Sequence, residues 1–136
     1  MFVLDASRTL GLCFEDEQGD AGIVALIERL AVEDAMAPGV WSLEVANGVR
    51  TALRRGRIAS RELPRIRSLI ERLSVTLVEV DARAASGEVL DLALAHDLTV
   101  YDAAYLDLAM RRGLPLATAD ARLRAASRAS GVELIG

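Results

Sequence analysis

Lysine is absent from this chain: all 16 basic residues are arginine. That removes Schiff-base chemistry and the lysine of a phosphate-binding P-loop together. It also argues against a receiver-type phosphoacceptor, whose acidic pocket relies on a neighbouring lysine. Cysteine and histidine occur once each, at Cys13 and His96. One thiol builds no disulfide framework, and neither a Cys-rich nor a His-rich zinc site can be assembled. Cys13 lies in the apolar stretch LGLCF and reads as a small buried hydrophobe. His96 follows LALA near a helix end and reads as an ordinary residue there. No apolar run approaches the ~20 residues of a membrane span. No charged start leads into an apolar leader region, so a cytoplasmic protein without membrane contact is expected.

What is present suits one domain over residues 1–136, with an apolar fraction of 52% to supply its core. The net charge is −4, but it is unevenly spread. Residues 50–72 hold eight arginines against Glu62 and Glu71, so that window is +6 and the remainder −10. A basic face on an acidic protein can attract phosphates locally; on charge alone, a solvated helix face explains it equally well.

Strands and helices alternate. MFVLD reads as a short buried strand. Residues 20–33 read as a helix, with Ile23, Leu26, Ile27 and Leu30 on one face. AMAP fits a short strand ended by Pro38-Gly39. Residues 41–55 form a helix stopped by Gly56, and residues 60–73 another with Ser60 as its N-cap. VTLVEV is a strand rich in β-branched residues. Helices follow at about 82–96 and 101–112, then a strand in LPLAT, a helix from DARLRAAS, and a last strand in VELIG. This order predicts an α/β fold, a parallel sheet covered by helices on both faces.

In such a sheet, ligands bind at the carboxyl ends of the strands. Asp5 ends the first strand, and Asp120 follows LPLAT in the same way. Each alone is commonly an N-cap; two at equivalent places suggest a shared site. Glu44 lies early in the helix WSLEVANGV, with Asn47 one turn on. Asp102 sits in a helix's first turn, with Thr99 as a cap, while Asp107 is expected to point elsewhere as a surface charge. Trp41, three residues before Glu44, is expected to pack under the site or in a dimer seam. Four converging carboxylates would repel one another and raise their pKa values. A divalent cation relieves that, and oxygen ligands without His or Cys select magnesium or manganese.

The stretches VLDAS, LEVANGV, TVYDAAYLDLA and LPLATADARL, in this order and spacing from one end of the chain to the other, resemble the PIN-domain ribonucleases, and most closely the VapC-type toxins of toxin–antitoxin pairs. The resemblance implies a three-layer α/β/α sandwich with a short parallel sheet. It implies that Asp5, Glu44, Asp102 and Asp120 coordinate one or two Mg²⁺ or Mn²⁺ ions and position the attacking water. Asp5 and Asp102 would be the central ligands. Ser7 and Thr118 are implied as polar supports, and Asn47 as a helper beside Glu44. Arg8 stands where related toxins often have an apolar residue, which would reshape the rim of the site. The family also implies an RNA substrate, a homodimer, and a VapB-like antitoxin that blocks the pocket, often through an arginine. Arg50, Arg54, Arg55 and Arg57, on the helical arm after Glu44, become the candidates for holding the RNA backbone. Two other readings remain beside the toxin: a PIN-fold processing or DNA-directed nuclease, and a non-catalytic module whose acidic residues are caps only.

Overall fold

Phe2, Val3 and Leu4 are shut off from solvent altogether and form strand β1 (Phe2–Leu4) of the computed structural model, which describes residues 1–136. β1 lies inside a four-stranded parallel sheet of order β3-β2-β1-β4, with β2 (Ala35–Pro38), β3 (Val75–Val78) and β4 (Leu116–Ala117). Val3 stands between Met36 of β2 and Leu116 of β4, and β2 pairs with β3 from Ala35–Val75 to Pro38–Val78. A parallel strand in this position is covered on both faces, which is why it reads as an unbroken apolar run.

Side chains alternate across the sheet. Val3, Met36 and Leu116 join Trp41, Val45, Tyr105, Leu106 and Leu123 in one core. These come from α3 (Trp41–Arg54), α7 (Val100–Arg112) and α8 (Ala121–Ala129). Phe2, Leu4 and Ala35 join Leu12, Ile23 and Leu26 in a second core, fed by α1 (Ala6–Cys13) and α2 (Ala21–Leu30). Cys13, Phe14, Val49 and Ile66 form a third cluster that fastens α4 (Leu63–Arg72) to α1 and α3. The arrangement is the three-layer α/β/α sandwich expected from the sequence. No helix is long and apolar enough to cross a membrane.

Several elements differ from the sequence expectation. The helix α1 was not foreseen. Ser60 is not an N-cap: residues Ser60–Glu62 form a 3₁₀ turn, and the Glu62 carboxylate accepts the Ala59 N–H at 2.8 Å. The helix expected over 82–96 is broken into α5 (Ala82–Ala84), a π-helical turn (Ala85–Val89) and α6 (Leu90–His96), because Gly87 leaves helical backbone angles. The closing segment makes one parallel bridge, Leu116 to Leu134, rather than a full strand.

The chain adds β2 and β3 on one side of β1, then crosses back to place β4 on the other. Strand order therefore reverses between β1 and β4, the place where open parallel sheets form a ligand crevice at their carboxyl ends. Asp5 emerges from β1 there, and its N–H donates to Ala117 O of β4 at 3.0 Å.

Candidate active site at the carboxyl edge of the sheet

Asp5 occupies the N-cap position of α1, yet its side chain caps nothing. Its Oδ2 instead accepts the hydroxyls of Ser7 (2.5 Å) and Thr118 (2.7 Å). Those two hydroxyls reach further. Ser7 Oγ accepts the Ala119 N–H at 2.9 Å, and Thr118 Oγ1 accepts the Asp120 N–H at 3.1 Å. The loop after β4 is thereby laced to the loop after β1, and Asp5 is held 4% exposed at their junction. Both hydroxyl bonds fall on Oδ2 and leave Oδ1 clear of them.

Asp120 does cap: its Oδ1 accepts the Leu123 N–H at 2.8 Å at the start of α8. The cap and the site are compatible, because one carboxylate oxygen suffices for the helix. Glu44 enters in the first turn of α3, and its Oε1 accepts the phenol of Tyr105 at 2.7 Å. Asp102 lies in the first turn of α7, where Thr99 caps its N–H at 3.1 Å.

These four carboxylates feel one another. Burial pushes the pKa of Asp5 up, opposed by the Ser7 and Thr118 hydroxyls and reinforced by the charge of Asp120. Burial also raises Glu44, against the Tyr105 hydrogen bond and with the charges of Asp5 and Asp102. Asp102 is raised by burial and by Asp5 and Asp120. No arginine pairs with any of the four. Like charges are thus concentrated at one edge without a protein cation, the condition that a divalent ion relieves.

The donor set is all oxygen, which fits a hard cation. No three acidic, histidine or cysteine side chains gather closely enough to enclose an ion by themselves. An ion held here would need ligands beyond the protein's own side chains. Magnesium keeps several waters and is commonly held by one or two carboxylates together with substrate phosphates.

The PIN domain family matches residues 2–129. The chain belongs to that family. Ribonuclease VapC12 of Mycobacterium tuberculosis, in strains CDC 1551 and H37Rv, is 32% identical to it over 123 residues, 90% of this chain and 89% of that protein. The crystal structure of PAE2754 from Pyrobaculum aerophilum superposes with a TM-score of 0.70 at 25% identity, covering 98% of this chain and 83% of that one.

Within this PIN domain, the structure brings Asp5, Ser7, Thr118, Asp120, Glu44 and Asp102 to one edge. Asn47 is exposed and makes no hydrogen bond to Glu44. Arg8 does not shape the rim: it is buried, and its Nη1 pairs with Asp20 Oδ1 at 2.9 Å at the start of α2. Arg57 is not free for a nucleic acid, since it pairs with Asp16 (2.9 Å) and Glu17 (2.7 Å) and lies over the Phe14 ring. Arg50, Arg54 and Arg55 are exposed and carry no ion pair. Asp107 is not a surface charge. It is buried and bound to Arg111 Nε at 2.8 Å, one turn on. Cys13 is buried as expected, its thiol pushed up to about 11 by burial.

Two supporting residues escaped the sequence reading. Tyr105 is three residues after Asp102 in TVYDAAYLDLA, a spacing that puts both on one helix face. Thr9 donates to Asp5 O at 3.3 Å and accepts from Trp41 Nε1 at 3.0 Å. Trp41, buried, therefore packs beneath the site and braces the backbone of Asp5.

Proposed function

We propose that this PIN-domain protein is a metal-dependent endoribonuclease that acts as the toxin of a toxin–antitoxin pair. The carrying observation is the set of four carboxylates at the sheet's carboxyl edge, three of them pushed up by burial and by one another's charge, with no arginine to neutralise them. Likeness to a protein named Ribonuclease VapC12 over nine-tenths of the chain supports RNA as the substrate.

In this reading Asp5 and Asp102 hold Mg²⁺ or Mn²⁺, and Glu44 and Asp120 complete the site, partly through water. When bound, such an ion lowers the pKa of water and screens the charge of a scissile phosphate. The protein's own contribution is positional. Ser7 and Thr118 fix Oδ2 of Asp5 and leave Oδ1 free of both hydroxyls. The Tyr105 phenol holds Glu44 in one rotamer and favours its charged form. The cap at Asp120 ties its Oδ1 to the Leu123 N–H at the start of α8, which leaves Oδ2 as the oxygen for an ion. RNA would lie across this edge and along the exposed Arg50, Arg54 and Arg55, with a homodimer as the working unit. A VapB-like antitoxin fits the same physics: a guanidinium inserted among the carboxylates pairs bidentately where the ion would sit.

The test titrates Mn²⁺ into the purified, partner-free protein and into Asp5→Ala, with cleavage of total RNA scored in parallel. Binding and cleavage lost together in the variant are expected. Cleavage that survives chelation, or an Asp5→Ala protein as active as the parent, would overturn the reading.

A further inference from the structure

Beside the carboxylates lies a groove of about 340 Å³ that none of the interactions above uses. Its walls include Val40 just after β2, Glu79 and Val80 just after β3, Val89 in the π-helical turn, and Val100 and Tyr101 in the first turn of α7. It opens on the same carboxyl edge as Asp5. It is also directly attached to the acidic residues: Tyr101 precedes Asp102, and Val40 O accepts the Glu44 N–H at 3.0 Å. The π-helical turn, in which Gly87 adopts φ −100° and ψ −107°, forms part of the wall, and such turns recur at functional sites.

The lining is mostly apolar, with one aromatic ring and one carboxylate. Tyr101 is 58% exposed, so its ring is available in the mouth of the groove. Glu79 has no hydrogen-bond or ion-pair partner, and it can only accept when ionised. A slot of this kind suits an unpaired nucleobase. Bases of single strands stack on aromatic side chains and are read on their Watson–Crick edges. Among the four bases, guanine alone offers two adjacent donors on that edge, N1–H and N2–H, which match the two oxygens of a carboxylate. Uracil would set a carbonyl against Glu79, an unfavourable pairing that adds selectivity. The volume suits one base rather than the row of anchors that a docked helix presents.

We propose that this groove is a base-reading subsite that takes an unpaired guanine beside the cleaved phosphate, stacked on Tyr101 and hydrogen-bonded by Glu79. The inference rests on the ribonuclease reading above and supplies its substrate preference.

The test has two arms. In the first, cleavage positions on an unstructured RNA containing every dinucleotide step are mapped with Mn²⁺ for the parent, Tyr101→Ala, Tyr101→Phe and Glu79→Gln. Cuts beside guanine are expected from the parent. Tyr101→Ala should raise KM on short RNA by about ten-fold with kcat little changed, while Tyr101→Phe retains the ring and the affinity. Glu79→Gln should lower the preference for guanine over uracil by about ten-fold. In the second arm, labelled hexaribonucleotides with a central guanine or a central uracil are bound by the cleavage-impaired Asp5→Asn protein and read by fluorescence anisotropy. Tighter binding of the guanine oligomer, lost in Asp5→Asn/Glu79→Gln, supports the subsite. If the parent cuts RNA but neither substitution alters position or KM, the groove proposal fails and the nuclease reading stands. If the parent cuts nothing, the nuclease reading fails, and equal binding of the two oligomers overturns the groove as well. Tyr101→Ala protein that handles RNA normally but no longer associates with a second copy would make the groove a protein anchor and overturn the proposal.

Discussion

Asp5 concentrates the conflict that the site is built on. It is buried, close to other carboxylates, and held by two hydroxyls that only partly offset the cost of its charge. Its folded-state pKa lies above the ordinary value of 3.8, so as pH falls the folded chain takes up this proton before the unfolded chain does. The stability this gives is complete below 3.8 and is lost as pH rises through the folded value. At neutral pH without divalent metal, Asp5→Asn should therefore be more resistant to urea than the parent. The gap should close as pH is lowered toward 3.8. Urea titrations of both proteins across that range check it, and a gap independent of pH would show that the charge is not what strains the site. Tyr105 offers a second test at this scale. Tyr105→Phe removes the donor that favours ionised Glu44, so the Glu44 pKa climbs further. The acid limb of the pH–rate profile should move to higher pH, with a stability loss of about 1 kcal/mol from the missing hydrogen bond. An unmoved profile would separate Glu44 from the rate-determining chemistry.

At the scale of elements, the four sheet strands were legible along the chain because each is short, mostly apolar and followed by a turn or a carboxylate, whereas their order across the sheet was not. The positions of Asp5, Asp102 and Asp120 were legible for a related reason: each follows a strand end or opens a helix, where capping favours a carboxylate; that they act together is the proposal. The helix α1 was hidden. Ala6, Arg8, Thr9, Gly11, Leu12 and Cys13 are all buried, so it has no polar stripe to set a 3.6-residue period against. Asp107 misled for the same reason. The run from Ala103 to Ala109 is buried throughout, and only the structure shows that Arg111 neutralises the carboxylate. The approach of α1 to α2 depends on Gly22. A Cβ there would fall on the Arg8 guanidinium, which is buried and paired to Asp20, the residue that also caps α2 through Gly22 N (2.8 Å) and Ile23 N (3.2 Å). Gly22→Ala should thus push the helices apart and cost about 1–3 kcal/mol by urea unfolding. A fully stable Gly22→Ala protein would mean that Arg8 can swing out to solvent at little cost.

Across the whole molecule, the proposed ribonuclease would have to bring a polyanion to an edge that carries four carboxylates. The net charge of −4 opposes that approach, and only local positive charge can offset it. The second half of α3 supplies it. Arg50 and Arg54 lie one turn apart on one face, Arg55 follows, and all three are exposed and unpaired, whereas Arg57 is consumed by Asp16 and Glu17. Counting along the helix from Glu44, Arg50 lies about 9 Å and Arg54 about 15 Å away at 1.5 Å per residue. In the proposed ribonuclease, arginines at those distances would meet phosphates a few nucleotides from the one at the carboxylates. Each phosphate neutralised on a single strand contributes roughly −0.7 to the slope of log K against log salt. Replacing Arg50, Arg54 and Arg55 together by alanine should weaken RNA binding at low salt and flatten that slope by about 2. Guanine preference and metal binding should stay as in the parent, since none of the three reaches either site. Binding measured by anisotropy over a range of salt concentrations, with the Asp5→Asn background to prevent cleavage, reads the slope directly. Weaker binding with an unchanged slope would place these arginines in a protein contact, and the RNA would have to take another path across the molecule.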